Sequence, residues 1–354
     1  MRSAAGSLLV VGLGGTELTG LERAWLKLVR PAGIILFRRN ITDAPQTRAL
    51  LSDAAELCTP HHIRCVDVEG GTVDRLRDAL APMPSAHAVA MARLAREHGE
   101  LVGRAVKAFG FNATLAPVLD LALPGSAAVM GSRSAAATPD EVVSYARGFL
   151  GGLAGQGVAG CGKHFPGLGG GTKDSHLETP EIARSGKEIW LEDISPYRSL
   201  RSELPMVMVN HAAYPQTPGG ARPASVSPYW ITTVLRKRVG YDGIVFSDDL
   251  EMGGILKYMP MEEAVVAAVR AGMDLMEICH SPELILRAYE ALIAEAERSR
   301  TFAAMLTARA RRTAKLRSKL FAGHPARTLT ARQFETLRTR IIHFGEKVAE
   351  AQQA

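Results

Sequence analysis

The chain has 354 residues, 47% of them hydrophobic and 22% charged, an ordinary globular composition that excludes a disordered or low-complexity polymer. No apolar run approaches the roughly 18 residues a membrane-spanning helix needs. The net charge of +6 is uneven, with thirteen Lys/Arg from Arg298 onward against three acids, Glu335, Glu346 and Glu350.

Short apolar, β-branched runs alternate with longer helical patterns along the chain. Strands are expected at 8–12, 33–37, 63–67, 113–118, 158–161, 206–211, 243–247 and 273–278. Helices are expected at 20–29, 44–57, 86–109, 139–154, 187–201, 228–238, 261–271 and 282–297. Thr138-Pro139-Asp140-Glu141 and Ser281-Pro282-Glu283 each place a capping side chain, a first-turn proline and acids at a helix start. Eight β-then-α units predict a parallel sheet covered on both faces and closed into a single (β/α)8 barrel over 1–298. Residues 299–354 are expected to add basic helices packed on that barrel.

The basic segment lacks aromatic interleaving or any nucleic-acid motif, so it reads as a solvated helical face and not as a nucleic-acid site. Cys58, Cys65, Cys161 and Cys279 form no C-x-x-C pair, and Cys65 and Cys161 sit inside apolar runs as small buried hydrophobes. The N-terminal apolar stretch is broken by glycines, unlike a secretory leader. A cytoplasmic setting is expected. Val11-Gly12-Leu13-Gly14-Gly15 follows a strand, but Glu17 stands where a dinucleotide-binding loop needs its third glycine.

Barrel chemistry gathers at the C-terminal ends of the strands, and the polar residues fall there. Asp67 and Glu69 follow the third strand, Asp120 the fourth, and Lys163 and His164 the fifth; Asn210 and His211 end the sixth, and Asp248 and Asp249 follow the seventh. The segment GKHFPGLGGGTKDSHLETP, 162–180, is rich in glycine and can fold over a substrate. In it Asp174 and His176 are two residues apart, so the carboxylate can bond one ring nitrogen and leave the other to exchange a proton. In YDGIVFSDDLEM, 241–252, two aspartates end an apolar strand, which is costly unless they face a polar cavity. One of them can attack an anomeric carbon, bind a metal or hold a sugar hydroxyl. In VDVEGGTVDRLRD, 66–78, Asp67 ends a strand, the paired glycines allow close backbone approach, and Arg75 can turn back to the mouth.

Together these segments resemble glycoside hydrolase family 3, in its bacterial β-N-acetylglucosaminidase branch. The resemblance spans about residues 8–280 and rests on KHFPG and DSH with the following proline, D-x-EGG-x-V-x-R from Asp67 to Arg75, and G-x-RS from Gly131 to Ser134. APVLDL at 116–121, RPAS-x-SPYW at 222–230 and FSDDL-x-M at 246–252 complete it. It implies a retaining β-N-acetylhexosaminidase acting on terminal β-linked N-acetylglucosamine, with peptidoglycan-derived anhydromuropeptides of cell-wall recycling as natural substrate. It further implies Asp248 as nucleophile, His176 as proton donor with Asp174 as its partner, and Asp67, Arg75, Arg133, Lys163 and His164 as the sugar-binding set. No cofactor or metal is implied. The chain departs from the pattern at Leu168, where the family carries a second histidine, and at Thr72, where an arginine is common. The competing readings are a family 3 glycosidase of other sugar specificity, a weakly active or non-catalytic sugar-binding homologue, and a metal-dependent barrel hydrolase.

Overall fold

The computed structural model describes residues 1–127, 129–170, 179–322 and 328–353. Eight parallel strands close a barrel: β1 (Leu9–Gly12), β2 (Gly33–Leu36), β3 (Ile63–Val66), β4 (Ala113–Thr114), β5 (Ala159–Phe165), β6 (Met206–Val209), β7 (Ile244–Asp249) and β8 (Leu275–Ile278). Each strand pairs with its chain neighbours, and β8 closes on β1 through Leu9↔Met276 and Val11↔Ile278. The TIM-barrel class read from the alternation is the one observed.

The strands are apolar on both faces because both faces are covered. Alternate residues point inward, so Val10, Ile35, Cys65, Leu115, Cys161, Met208 and Phe246 fill the interior. Their neighbours Leu9, Val11, Ile34, Leu36 and Val66 pack outward against the helices. Those helices include α1 (Gly20–Val29), α2 (Ala44–Ala55), α3 (Ala95–Ala108), α4 (Pro139–Gly155), α5 (Ile189–Asp193), α6 (Tyr229–Arg238), α7 (Met261–Ala271) and α8 (Pro282–Arg298). Thr138 and Ser281 cap α4 and α8 as expected, their side chains accepting from the Glu141 and Leu284 amides.

Several boundaries differ from expectation. The fourth strand is regular only to Thr114; past it the backbone still bonds its neighbours through the Leu115 amide to the Val66 carbonyl and the Cys161 amide to the Ala116 carbonyl, and Val118 bridges Lys163. The fifth runs on to Phe165 and the seventh to Asp249, so Lys163, His164, Asp248 and Asp249 lie on strands and not after them. The helix expected over 86–109 is two, Ala86–Met91 and α3, separated at Arg93 with φ 57°. The fifth helical segment is broken, α5 being a π-wound turn between Gly186–Glu188 and Ser195–Ser199.

Two further helices, α9 (Arg300–Phe321) and α10 (Ala331–Ala351), complete the chain. α9 lies across the barrel's base, where Leu316, Leu320 and Phe321 join the interior packing. Arg317, 1% exposed, donates there to Thr59 Oγ1 at 2.8 Å and to the Pro60 carbonyl at 3.1 Å. Arg309 and Arg312 reach the buried Asp274, which also pairs with Arg236. Part of the basic segment's charge is thus spent on the barrel. α10 packs on α3, with Phe344 stacked on His98 and Phe334 against Phe109.

The α3–α4 contact tests this packing. A Cβ on Gly99 of α3 would lie 2.0 Å from the Phe149 carbonyl oxygen of α4, whereas Gly155 at the end of α4 has open space. Gly99→Ala should lose about 2–3 kcal/mol by forcing the helices apart. Gly155→Ala should be neutral or gain up to about 1 kcal/mol. Denaturant unfolding of both variants gives the comparison; equal stabilities would rule out close α3–α4 contact.

Candidate active site

The inward rows of the odd-numbered strands explain how polar groups reach the barrel mouth. Ile63 and Cys65 are followed two residues on by Asp67, Ala159 and Cys161 by Lys163, and Ile244 and Phe246 by Asp248. Each row is apolar in the body of the barrel and polar at its C-terminal end, which is where barrel sites form. A cavity of about 410 Å³ opens there, and Asp67, Arg75, Arg133, Lys163, His164 and Asp248 all line it. A larger groove of about 520 Å³ runs between α7 and α8 on the outer surface, away from these groups. Asp174 and His176 fall at 171–178, outside the described residues.

A buried ion network organises the cavity wall. Lys163 Nζ lies 2.8 Å from Asp67 Oδ1 and 2.6 Å from Glu69 Oε1. Arg133 grips Glu69 with two parallel bonds, Nε to Oε2 at 2.8 Å and Nη2 to Oε1 at 2.9 Å. Arg75 approaches the other oxygen of Asp67 at 3.8 Å. Burial alone would push the Glu69 carboxyl up; Lys163 and then Arg133 outweigh it and hold the group well below the usual range. Burial opposes the Lys163 charge in the same way, and Asp67 and Glu69 overcome it, raising its pKa. Glu69 arrives there because the hairpin of Val68–Gly70 and Val73–Asp74 folds back over the mouth. Its turn needs Gly70, at φ 92° with a Cβ position only 2.1 Å from the Pro84 carbonyl oxygen.

His164 is fixed by Asp120, whose Oδ2 lies 2.6 Å from Nδ1 and also accepts the His164 amide at 3.1 Å. The other oxygen of Asp120 accepts the Leu168 amide at 2.7 Å. The Nε2 of the same ring lies 3.4 Å from Arg133 Nη2. Leu168 itself is buried and lines the cavity, so the departure noted in the sequence places an apolar wall at the root of the 162–180 segment. Beyond the undescribed stretch, Thr179 Oγ1 donates to the Gly254 carbonyl at 2.7 Å.

Asp248 is half-buried at the end of β7, with Oδ1 accepting the Asp249 amide at 3.0 Å. Burial would raise its carboxyl, but His164, His211 and Lys163 outweigh that and hold it below the ordinary value, so it is ionised at neutral pH. His211 is itself held between Ser225 Oγ and the Asp249 carbonyl oxygen. Asp249 differs sharply from Asp248. Burial, then the charges of Glu251 and Asp248, push it up to about 7.

Asp249, Glu251 and His280 bring possible ligand atoms within 4.8 Å of one another. Arg39 Nη1 lies 2.9 Å from His280 Nδ1; a guanidinium only donates, so that nitrogen accepts and Nε2 keeps its proton. The Ser281 amide already occupies Glu251 Oε1. The protonated Nε2 that faces Asp249 therefore disfavours a cation at this trio. The cavity holds one further acid that the sequence reading did not single out. Glu277 of β8 lines its floor, and the period-two row Leu275, Glu277, Cys279 was the available signal.

Comparison with known proteins extends the geometry. The profile of the glycosyl hydrolase family 3 N-terminal domain matches residues 4–316. A β-hexosaminidase of Methylococcus capsulatus is 38% identical over 301 residues, 82% of this chain and 89% of that protein. One from Pseudomonas aeruginosa is 38% identical over 291 residues, 80% and 86% of the two chains. Among solved structures, a family 3 β-N-acetylglucosaminidase from Paenibacillus superposes with TM-score 0.85 at 31% identity, covering 96% of this chain and 68% of that one. NagZ from Neisseria gonorrhoeae, in complex with N-trifluoroacetyl-D-glucosamine, superposes with TM-score 0.78 at 29% identity over 96% and 98% of the chains.

The raised Asp249 carboxyl carries a pH signature. Its folded value, about 7, lies above the ordinary 3.8, so the folded state binds this proton more tightly. Its stabilising contribution is complete below about pH 4 and is lost as pH rises through 7. Asp249→Asn keeps the Oδ1 acceptor for the Glu251 and Cys279 amides but cannot ionise. Urea unfolding should show the variant gaining on the wild type from pH 4 to 7, with a constant gap above. A gap independent of pH would contradict the assignment.

Proposed function

The chain belongs to glycosyl hydrolase family 3, and from that premise we propose that it is a retaining β-N-acetylhexosaminidase that removes terminal non-reducing β-linked N-acetylglucosamine. One observation carries the reading. An ionised carboxylate, Asp248, ends an inward row of the barrel in the same cavity as a preformed set of donors, Lys163, Arg133 and Arg75. Donors without acceptor capacity suit sugar hydroxyls and the acetamido carbonyl, and the ion pairs that hold them also fix their directions.

In this mechanism an Asp248 oxygen attacks the anomeric carbon as the bond to the leaving oxygen breaks, and His176 gives that oxygen its proton. The product of the step is a covalent glycosyl-enzyme with inverted configuration. His176 then takes a proton from water, whose oxygen attacks the same carbon and releases Asp248, restoring the β-configuration. Asp174 orients the imidazole and stabilises its charged form. A histidine thereby replaces one of the two carboxyl groups usual in retaining glycosidases. Asp67, Arg75, Arg133, Lys163 and His164 bind the sugar. No step uses a metal or cofactor.

Residues 1–298 would supply this chemistry, with 299–354 as a packed helical extension. The natural substrates we assign are N-acetylglucosamine-capped anhydromuropeptides released during cytoplasmic cell-wall recycling. Among the described residues no helix is long and apolar enough to cross a membrane.

Asp248→Asn should keep the wild-type unfolding curve and lose roughly 10⁴-fold or more in turnover of an aryl β-N-acetylglucosaminide. Full activity in that variant would sink the nucleophile role. His176→Ala should cost about 10²–10⁴-fold on substrates with poor leaving groups and far less on activated aryl glycosides. Equal losses on both would count against its role as acid. Wild-type protein that binds N-acetylglucosamine but cleaves no aryl glycoside would favour a sugar-binding homologue instead.

A further inference from the structure

The even-numbered strands supply the floor of the cavity. Ile35 of β2, Met208 of β6 and Glu277 of β8, with Leu115 directly after β4, all line it. In a barrel of this kind, alternate strands contribute the four side chains of one interior layer. Three members of this layer are apolar and one is a carboxyl. Leu275 of β8 and Cys279 directly after it, two residues either side of Glu277, both belong to the interior packing.

This carboxyl has no cation paired with it among the described residues, and only the Cys279 side chain offsets its burial. Glu277 is 2% exposed. Its Oε1 is closed to solvent and has no hydrogen-bond partner. The charges that act on it most strongly are those of Asp249, Asp67 and Asp248, all acids. Lys163 and Arg133, which answer the other buried acid of the wall, are engaged by Asp67 and Glu69. Burial first, and then these neighbouring acids, raise its carboxyl well above the ordinary value, which favours the protonated form with one donor and one acceptor. A leucine would fill the layer without an unsatisfied polar atom. What the carboxyl adds is hydrogen bonding at the bottom of the pocket.

We propose that Glu277 is a sugar-binding and specificity-determining residue whose carboxyl hydrogen-bonds a hydroxyl group of the hexosamine seated on this layer. The inference rests on the hydrolase reading for its substrate. It adds a contact from the barrel floor to those proposed for the wall.

The test pairs Glu277→Leu and Glu277→Gln with 4-nitrophenyl β-N-acetylglucosaminide and its 3-deoxy, 4-deoxy and 6-deoxy analogues. Calorimetric binding of N-acetylglucosamine is read alongside. Glu277→Leu should lower kcat/KM on the parent substrate by about 5- to 50-fold, the worth of one buried hydrogen bond, and weaken N-acetylglucosamine similarly. Glu277→Gln keeps a donor and an acceptor and should stay within about 3-fold. One deoxy analogue should cost the wild type as much as Glu277→Leu costs the parent, and should cost Glu277→Leu nothing further. The melting temperature of Glu277→Leu should equal or exceed that of the wild type, which separates lost contact from lost fold. If Glu277→Leu fails to fold, Glu277→Met, apolar and flexible enough to fill the layer, carries the deoxy series in its place. Wild-type turnover with a deoxy profile that neither variant alters overturns this inference alone. Absent wild-type turnover overturns the hydrolase reading, and the binding arm then decides the role of Glu277 by itself.

Discussion

The cavity depends on the clamp of Lys163 and Arg133 around Glu69. A carboxylate closed off from water in a barrel mouth is costly unless paired and hydrogen-bonded. Here it meets two cations through short bonds, and Lys163 is shared with Asp67. The partners come from far apart in sequence: the hairpin after β3, the turn at Gly131–Arg133, and β5. Removing one member would leave a buried charge unanswered, so three connections are held in one arrangement around the space a sugar would fill.

The barrel explains why such a clamp can be built. Inward rows alternate with outward ones, and each inward row can change character at its last residue without disturbing the packing beneath. Asp67 directly after β3, Lys163 of β5 and Asp248 of β7 end their inward rows, each standing on two apolar neighbours of its own row. Asp120 gives a second kind of coupling. One carboxylate fixes the His164 ring through Oδ2 and the Leu168 amide through Oδ1. The imidazole on the wall and the root of the glycine-rich segment thus share one anchor.

Much of this was legible in the sequence, for a physical reason: period-two apolar runs and capped helices are local signals. Thr138 and Ser281 announced their helices, and the acids at the strand ends announced the mouth. What the sequence hid was set by tertiary contact. The extension of β5 through Lys163 and His164 depends on neighbours that bury both, which their charges do not advertise. Glu277 was passed over because it lies inside an apolar strand and not among the polar residues at the strand ends. Asp248 and Asp249 look alike in sequence; His164, His211 and Lys163 favour the charge on one, while burial and neighbouring acids disfavour it on the other.

The base of the barrel carries a consequence of a different kind. Arg317 and Phe321 of α9 fill the end opposite the cavity, bonding groups at Thr59 and Pro60 more than 250 positions earlier in the chain. A ribosome that has released all eight strands has therefore not yet delivered the plug that seals them. Until α9 emerges, the nascent barrel exposes an apolar underside and unpaired carbonyls at that end. Synthesis order thus gives the last helices a place in the timing of folding, when an unsealed barrel is most open to association with other chains.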